Sequence, residues 1–182
     1  MVDIYKQELT NLQQEILNLL SIKAGSALNQ NRTSKILKVS QPAVAKALPF
    51  LEKSGYVLIK KDKASGRFDI KLNRENKRII NIKRTINLNL IYKSGLVEFL
   101  EENFPGTTII LFGSFSKGED TETSDIDIAI IGRKEKKVNL NEYEKIFEKE
   151  IFLHFYISFS KIEKELKENL CNGIILIGGI EL

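Results

Sequence analysis

Two short stretches carry residue types that could do chemistry together. The first is Leu111-Phe112-Gly113-Ser114-Phe115-Ser116-Lys117-Gly118, and the second is Ser124-Asp125-Ile126-Asp127-Ile128. Thr107 to Phe112 is a β-rich apolar run, and Gly113 ends it with a residue free to take any backbone angle. Lacking a side chain, Gly113 also lets a phosphate approach the backbone closely. Ser114 adds a hydroxyl, a helix starting there points N–H groups at an anion, and Lys117 adds positive charge. Asp125 and Asp127 are two apart, so on a strand both side chains leave the same face. Like carboxylates on one face repel unless a cation lies between them. Mg²⁺ takes such oxygen ligands and completes its shell with water and substrate phosphates.

The elements that must hold these groups lie in the second half of the chain. A helix is expected over Ser94 to Phe104, then a Pro105-Gly106 turn, the strand ending at Phe112, the Gly-Ser turn with a short helix, a polar loop, and a strand from Asp125 to Ile131. Asn141 with Glu144 three residues on predicts a capping box on the next helix, and Ser160 with Glu163 predicts another. A strand near Ile151 to Ile157 lies between them. Ile162, Leu166 and Leu170 face inward from the last helix, Asn172-Gly173 stops it, and Ile174 to Ile177 forms a final apolar segment. Strands alternating with helices argue for an α/β unit.

The first half has a different character. Residues 1–87 hold 17 Lys+Arg against 7 Asp+Glu, a net of +10, whereas residues 88–182 hold 11 against 17, a net of −6. A basic half joined to an acidic half suggests two modules with different partners, the basic one suited to a polyanion. Leu9, Leu12, Ile16, Leu19 and Leu20 form a helical stripe that Gly25 ends. A shorter helix covers about Asn31 to Leu37. Ser40 then caps a third, with Pro42 just inside it, where a missing N–H costs nothing. Pro49 should bend that helix or release the Ala45 carbonyl. Two strands follow, Tyr56–Lys61 and Arg67–Leu72, joined by a turn that Lys60, Lys61, Lys63 and Arg67 flank. Residues 73–93 are too apolar for a free tether and read as a packed helix or an irregular arm.

The single cysteine, Cys171, excludes an internal disulfide and a cysteine-based metal site. No apolar run reaches transmembrane length, and the N-terminus lacks a signal-peptide core, so a soluble, cytoplasmic protein without a membrane partner is expected.

The Gly113-Ser114 turn, the Lys117-Gly118 pair and Ser124-Asp125-Ile126-Asp127 together resemble the nucleotidyltransferases of the DNA polymerase beta superfamily, in particular the small prokaryotic minimal group. The resemblance covers about a tenth of the chain. It implies a mixed sheet and transfer of a nucleotidyl group from ATP or another nucleoside triphosphate, with pyrophosphate leaving. It also implies Mg²⁺ on Asp125 and Asp127, and triphosphate contacts from Gly113, Ser114, Lys117 and Ser124. The family uses a third carboxylate on the strand after the next helix. Here that strand is Glu150-Ile151-Phe152-Leu153-His154-Phe155-Tyr156-Ile157, with no internal Asp or Glu. His154, the only histidine, falls where the acid should be, as a base, as a ligand, or as a plain strand histidine in a site that lost its third acid. Glu150, at the strand edge, is the other substitute.

The basic half resembles a winged helix-turn-helix. In that family the N-terminal residues of the helix after the tight turn meet base edges, here Gln41, Ala43 and Lys46, and basic wing residues meet phosphates, here Lys60, Lys61, Lys63 and Arg67. The expected fold is therefore α+β. A winged helix-turn-helix spans residues 1–72, a linker or packed helical arm 73–93, and an α/β nucleotidyltransferase-like domain with a mixed sheet 94–182. Two functions stand open. One is a Mg²⁺-dependent nucleotidyltransferase delivered by its winged helix to nucleic acid or to a protein acceptor. The other is a duplex-DNA-binding regulator whose second half is a degenerate nucleotide sensor or an assembly module. A homodimer is compatible with either.

Overall fold

Thr10 and Gln13 start the first helix by exchanging hydrogen bonds. The Gln13 N–H donates to the Thr10 hydroxyl at 3.3 Å, and the Thr10 N–H donates to the Gln13 carboxamide at 2.8 Å. The helix that follows, α1 (Asn11–Ile22), is the first element of a computed structural model that describes residues 9–61 and 68–180. The chain divides into two units, residues 1–79 and 80–182.

In the first unit α1 is followed by β1 (Leu28–Asn29), α2 (Gln30–Leu37), α3 (Gln41–Lys53), β2 (Val57–Lys61) and β3 (Phe68–Leu72). Ser40 caps α3, its hydroxyl accepting from the Ala43 N–H at 3.3 Å, and Pro42 sits in the first turn. Pro49 lies inside α3, which continues past it to Lys53. Ile16, Leu17, Val44, Leu51, Val57 and Ile70 are buried between the helices and the sheet. The sheet has three strands, in the order β1-β3-β2, all antiparallel. β1, only two residues long, pairs Leu28 with Ile70 and is absent from the sequence reading. Three helices and a small antiparallel sheet in this order make a winged helix. Lys63 and Arg67, expected at the wing, fall outside the described residues.

α4 (Lys77–Lys93) runs across the division and resolves the open reading of residues 73–93 as mainly helix. The second unit continues with α5 (Leu96–Asn103), β4 (Thr108–Phe112), α6 (Gly113–Lys117), β5 (Ile126–Ile131), α7 (Asn141–Phe147), β6 (Ile151–Tyr156), a 3-10 turn at Phe159–Lys161, α8 (Lys164–Cys171) and β7 (Ile174–Ile177). Its sheet has the order β6-β5-β4-β7. β5 and β6 are parallel, while β4 is antiparallel to both β5 and β7, so the sheet is mixed. Alternation along the strands sorts the side chains. Ile126, Ile128 and Ile130 of β5 join Leu100, Phe115 and Phe147 on one face. Ala129 and Ile131 join Ile110, Phe112, Ile162 and Leu170 on the other.

Two expected capping boxes do not form. The Asn141 N–H donates to the Asn139 carboxamide at 3.0 Å, α7 has no side-chain cap of its own, and Glu144 accepts from the Ile151 N–H at 3.2 Å. Glu144 therefore ties α7 to the start of β6. Ser160 sits in the 3-10 turn and pairs with the Ser158 hydroxyl, while Glu163 is itself the residue before α8. In both cases another residue is the N-cap, Leu140 for α7 and Glu163 for α8, so the Ser/Asn-to-Glu spacing is out of step with the helix start.

A buried polar cluster ties the loop before β5 to the rest of the unit. Asp120 has no solvent exposure. Its Oδ1 accepts from Lys83 Nζ at 2.6 Å and Asn87 Nδ2 at 2.7 Å, and Asn87 Nδ2 also reaches the Phe115 carbonyl at 2.9 Å. Lys83 and Asn87 are four apart on α4 and share one face of it. Beside them Gly118 ends α6 with φ +75°, and a Cβ there would lie 2.4 Å from the Ile80 carbonyl oxygen and 2.7 Å from the Arg84 nitrogen. Both are backbone atoms of α4 and cannot step aside. Gly118→Ala is expected to lower the unfolding free energy by at least about 1–2 kcal/mol from the left-handed backbone alone. Circular dichroism melts of the full chain check this, and an unchanged melting temperature contradicts it.

Candidate active site

Asp127 is the second residue of β5, and its neighbours define the site. Phe112 pairs with it across β4, and Phe152 pairs with it across β6. Gly113 follows Phe112 with φ +74°, and a Cβ built there would stand 2.6 Å from Asp127 Oδ2. Only glycine lets the turn pass this close to the carboxylate. β6 is an edge strand, and His154, paired with Ala129, lies on the same face as Asp127. The His154 Nε2 is 3.0 Å from Asp127 Oδ1. The His154 ring also meets the Phe112 ring edge to face, with centroids 5.3 Å apart. The side chains of His154 and Asp127 keep 37% and 32% of their exposure, so the contact borders solvent. Tyr156, next on the same face, has its phenol pKa raised by burial and then by the charge of Asp127, which keeps it protonated as a hydrogen-bond donor.

Asp125 stands one residue before β5 and is exposed. The strand starts at Ile126, whose N–H donates to the Glu150 carbonyl at 2.9 Å. Because Ile126 pairs with Ile151, Asp125 and Glu150 occupy adjoining strand starts. Ser124 turns inward on its own loop. Its hydroxyl accepts from the Thr121 N–H at 2.9 Å and lies 3.1 Å from the Thr121 hydroxyl, so here it shapes the loop. Ser114 and Lys117 lie half-buried on α6.

Asp125 and Asp127 offer a divalent cation two carboxylates at the solvent edge of the sheet. Hard oxygen donors of this kind suit a cation that fills its remaining positions with water and phosphate oxygens. Among the described residues no group of three His, Cys, Asp or Glu side chains is placed to hold a metal. The aspartate pair is a candidate donor set only, with His154 in contact with one of its members.

Sequence reasoning missed Lys149. This buried lysine, just before β6, donates to the carbonyls of Thr121 and, at 3.2 Å, Ser124, both on the loop that leads to Asp125. Its signal in the sequence is faint, since a lone lysine among charged neighbours reads as surface.

On the first unit, Gln41 and Lys46 of α3 are exposed and Ala43 is half-buried, while Lys60 and Lys61 are exposed on β2.

Residues 93–177 match the family model of the nucleotidyltransferase domain. A putative protein adenylyltransferase of Methanocaldococcus jannaschii is 41% identical over 54 residues, which make up 30% of this chain and 57% of that protein. The chain thus spans little more than half the length of the curated relative it matches. Among solved structures, the adhesin competence repressor AdcR of Streptococcus pyogenes is 26% identical with a TM-score of 0.42, over 56% of this chain and 72% of that one. The Staphylococcus aureus MepR–DNA complex is 23% identical with a TM-score of 0.39, over 52% of this chain and 81% of that one. These two likenesses are weak, and the winged-helix description of the first unit rests on its own strand and helix order. Residues 93–177 are therefore similar to the nucleotidyltransferase domain, and the unit that precedes them is built as a winged helix.

Proposed function

We propose that the chain transfers a nucleotidyl group from a Mg²⁺–nucleoside triphosphate to an acceptor hydroxyl on a macromolecule, with ATP the first candidate donor. The acceptor oxygen bonds to the α-phosphorus, the bond to the bridging oxygen breaks, and pyrophosphate leaves. The observation that carries this reading is the close approach of Gly113 to Asp127, which puts a bare backbone turn against a carboxylate with Asp125 beside it. Similarity to a putative protein adenylyltransferase supports ATP and a protein acceptor.

Within the site, Asp125 and Asp127 hold the metal, which when bound neutralises charge on the phosphates. Gly113 and Ser114 meet the triphosphate, and Lys117 adds positive charge near it. His154 stands where the third acid is expected. With its proton on Nε2, that nitrogen donates to Asp127 and leaves Nδ1 to take the proton of the acceptor hydroxyl. The winged helix binds duplex DNA through Gln41, Ala43 and Lys46 of α3 and through Lys60 and Lys61 of the wing, together with Lys63 and Arg67. The second reading, a DNA-binding regulator whose domain senses nucleotide without transferring it, draws on one observation: a histidine stands at the expected third-acid position.

Three measurements test these readings. Calorimetry of the full chain with ATP, GTP, CTP and UTP is expected to show Mg²⁺-dependent binding, and Asp125→Asn with Asp127→Asn to remove the metal dependence. Gly113→Ala, which pushes a Cβ onto Asp127, is expected to weaken that binding at least about tenfold in a folded protein. Absence of triphosphate binding at any Mg²⁺ level rejects both the transferase and the sensor. With α-labelled triphosphate, His154→Ala is expected to slow transfer by about 10²–10⁴-fold. Nucleotide binding without transfer in the wild type would instead select the regulator.

The third measurement is a salt titration of duplex DNA binding. Affinity should fall steeply with salt, and Lys60→Ala with Lys61→Ala should weaken every sequence alike and flatten the salt slope, by about one unit per lost phosphate contact. Gln41→Ala should change sequence preference instead. No binding to random duplex at low salt removes DNA from the proposal.

A further inference from the structure

Lys149 does more than neutralise a buried carboxylate. Its ammonium lies 3.5 Å from Asp120 Oδ2, an ion pair, yet that oxygen accepts no hydrogen bond among the described residues. The lysine's protons go instead to the carbonyl oxygens of Thr121 and Ser124. Ser124 is the residue before Asp125, so one of these bonds is made at the peptide that leads into the exposed aspartate. The other side of Asp120 is gripped by Lys83 and Asn87 of α4. Side chains of Lys83, Lys149 and Asp120 keep 1%, 3% and 0% exposure, so water does not compete for these contacts.

We propose that Lys149 is a positioning residue of the nucleotidyltransferase site: through Asp120 and the carbonyls of Thr121 and Ser124 it fixes the loop that delivers Asp125 next to Asp127. The position of Lys149 makes this coupling direct. It immediately precedes Glu150, whose carbonyl accepts from the Ile126 N–H between the two aspartates. One short segment before β6 therefore holds the Asp125 peptide from both sides, by a side chain at Ser124 and by the main chain at Ile126. Lys149 touches no reacting group in this arrangement. Its effect on the site passes through the loop, and in that respect the inference rests on the functional reading above.

The test uses the full chain and two readouts. Amide exchange, followed by mass spectrometry of peptides covering residues 119–127, reports on the loop. Free Mn²⁺, measured by electron paramagnetic resonance, reports on the aspartate pair. Lys149→Met is expected to speed exchange in 119–127 while leaving the β4 peptide unchanged, and to weaken Mn²⁺ binding by about 10-fold, as lost outer-sphere support does elsewhere. Lys149→Arg should rescue both in part, because it restores charge and donors. Lys149→Gln keeps a donor for the carbonyls and is judged by the same two readouts if the methionine variant does not fold. Unchanged exchange in 119–127, or exchange that rises equally in β4, overturns the inference, the second outcome meaning that Lys149 serves only global stability. Faster loop exchange with unaltered Mn²⁺ affinity also overturns it, since the loop then does not set the site. A wild type that binds no Mn²⁺ overturns the functional reading, and the exchange data still decide whether Lys149 holds the loop.

Discussion

A carboxylate with no access to water must be met by positive charge, and in this chain Asp120 imposes that condition on everything around it. It draws Lys83 from α4 and Lys149 from the segment before β6 into the interior. A loop between a strand and its neighbour would ordinarily run over the surface with its own backbone solvated. Here the loop from Gly118 to Asp125 is held at one end by the packing of Gly118 on the α4 backbone and in the middle by Asp120. Near its far end it is held by the Lys149 bond to Ser124. Replacing such a cluster with apolar groups can leave a fold intact, but removing one member strands a buried charge, at a cost of about 3–5 kcal/mol. The arrangement is thus an expensive way to make a loop and an effective way to make one loop conformation.

That single conformation matters because the site is made from two ends of strands that are not neighbours in sequence. Asp127 is placed by the β4–β5 and β5–β6 registers, which oppose it to Phe112 and Phe152. Asp125 lies one residue outside the paired strand, and the β5–β6 ladder reaches it only through the Ile126 N–H on the Glu150 carbonyl. Its placement follows from the loop, whereas the approach of Gly113 to Asp127 follows from the sheet. Two carboxylates two residues apart therefore depend on different structures, Asp127 on the strand registers and Asp125 on the end of a ladder together with a buried ion cluster.

How far the sequence discloses this depends on the range of the interactions. Ser40 and Pro42 predict the start of α3 correctly, because a cap and its helix lie within a few residues. The Asp-x-Asp pair and the Gly-Ser turn are equally local, and their apolar flanks place them at strand ends. The boxes at Asn141 and Ser160 fail for the converse reason. A spacing of three is common, and tertiary contacts moved the helix starts, Glu144 being drawn to the Ile151 N–H. β1 is two residues long and exists only because β3 pairs with it, so it has no periodicity of its own. Lys83 and Asn87 hold the clearest overlooked signal. Polar residues four apart on a helix that also carries Ile91 on that face announce a buried polar partner, though the partner's identity needs the fold.

His154 shows the boundary most sharply. Its place in the strand is readable, since β6 is a short apolar run that follows α7, and the register pairs it with Ala129 rather than with Asp127. A carboxylate at that position would set a third negative charge close to Asp127 and raise the need for cations in the site. An imbalance of that kind is absent here. The imidazole Nε2 instead meets Asp127 Oδ1, and the Phe112 and His154 rings pack edge to face beside that contact. The contact between His154 and Asp127 is therefore self-sufficient without a metal, whereas a third acid would not be. That contact occupies Asp127 Oδ1, and the other oxygen, Oδ2, faces Gly113. A Cβ at position 113 would stand 2.6 Å from that oxygen, so the glycine is what keeps Oδ2 of Asp127 open.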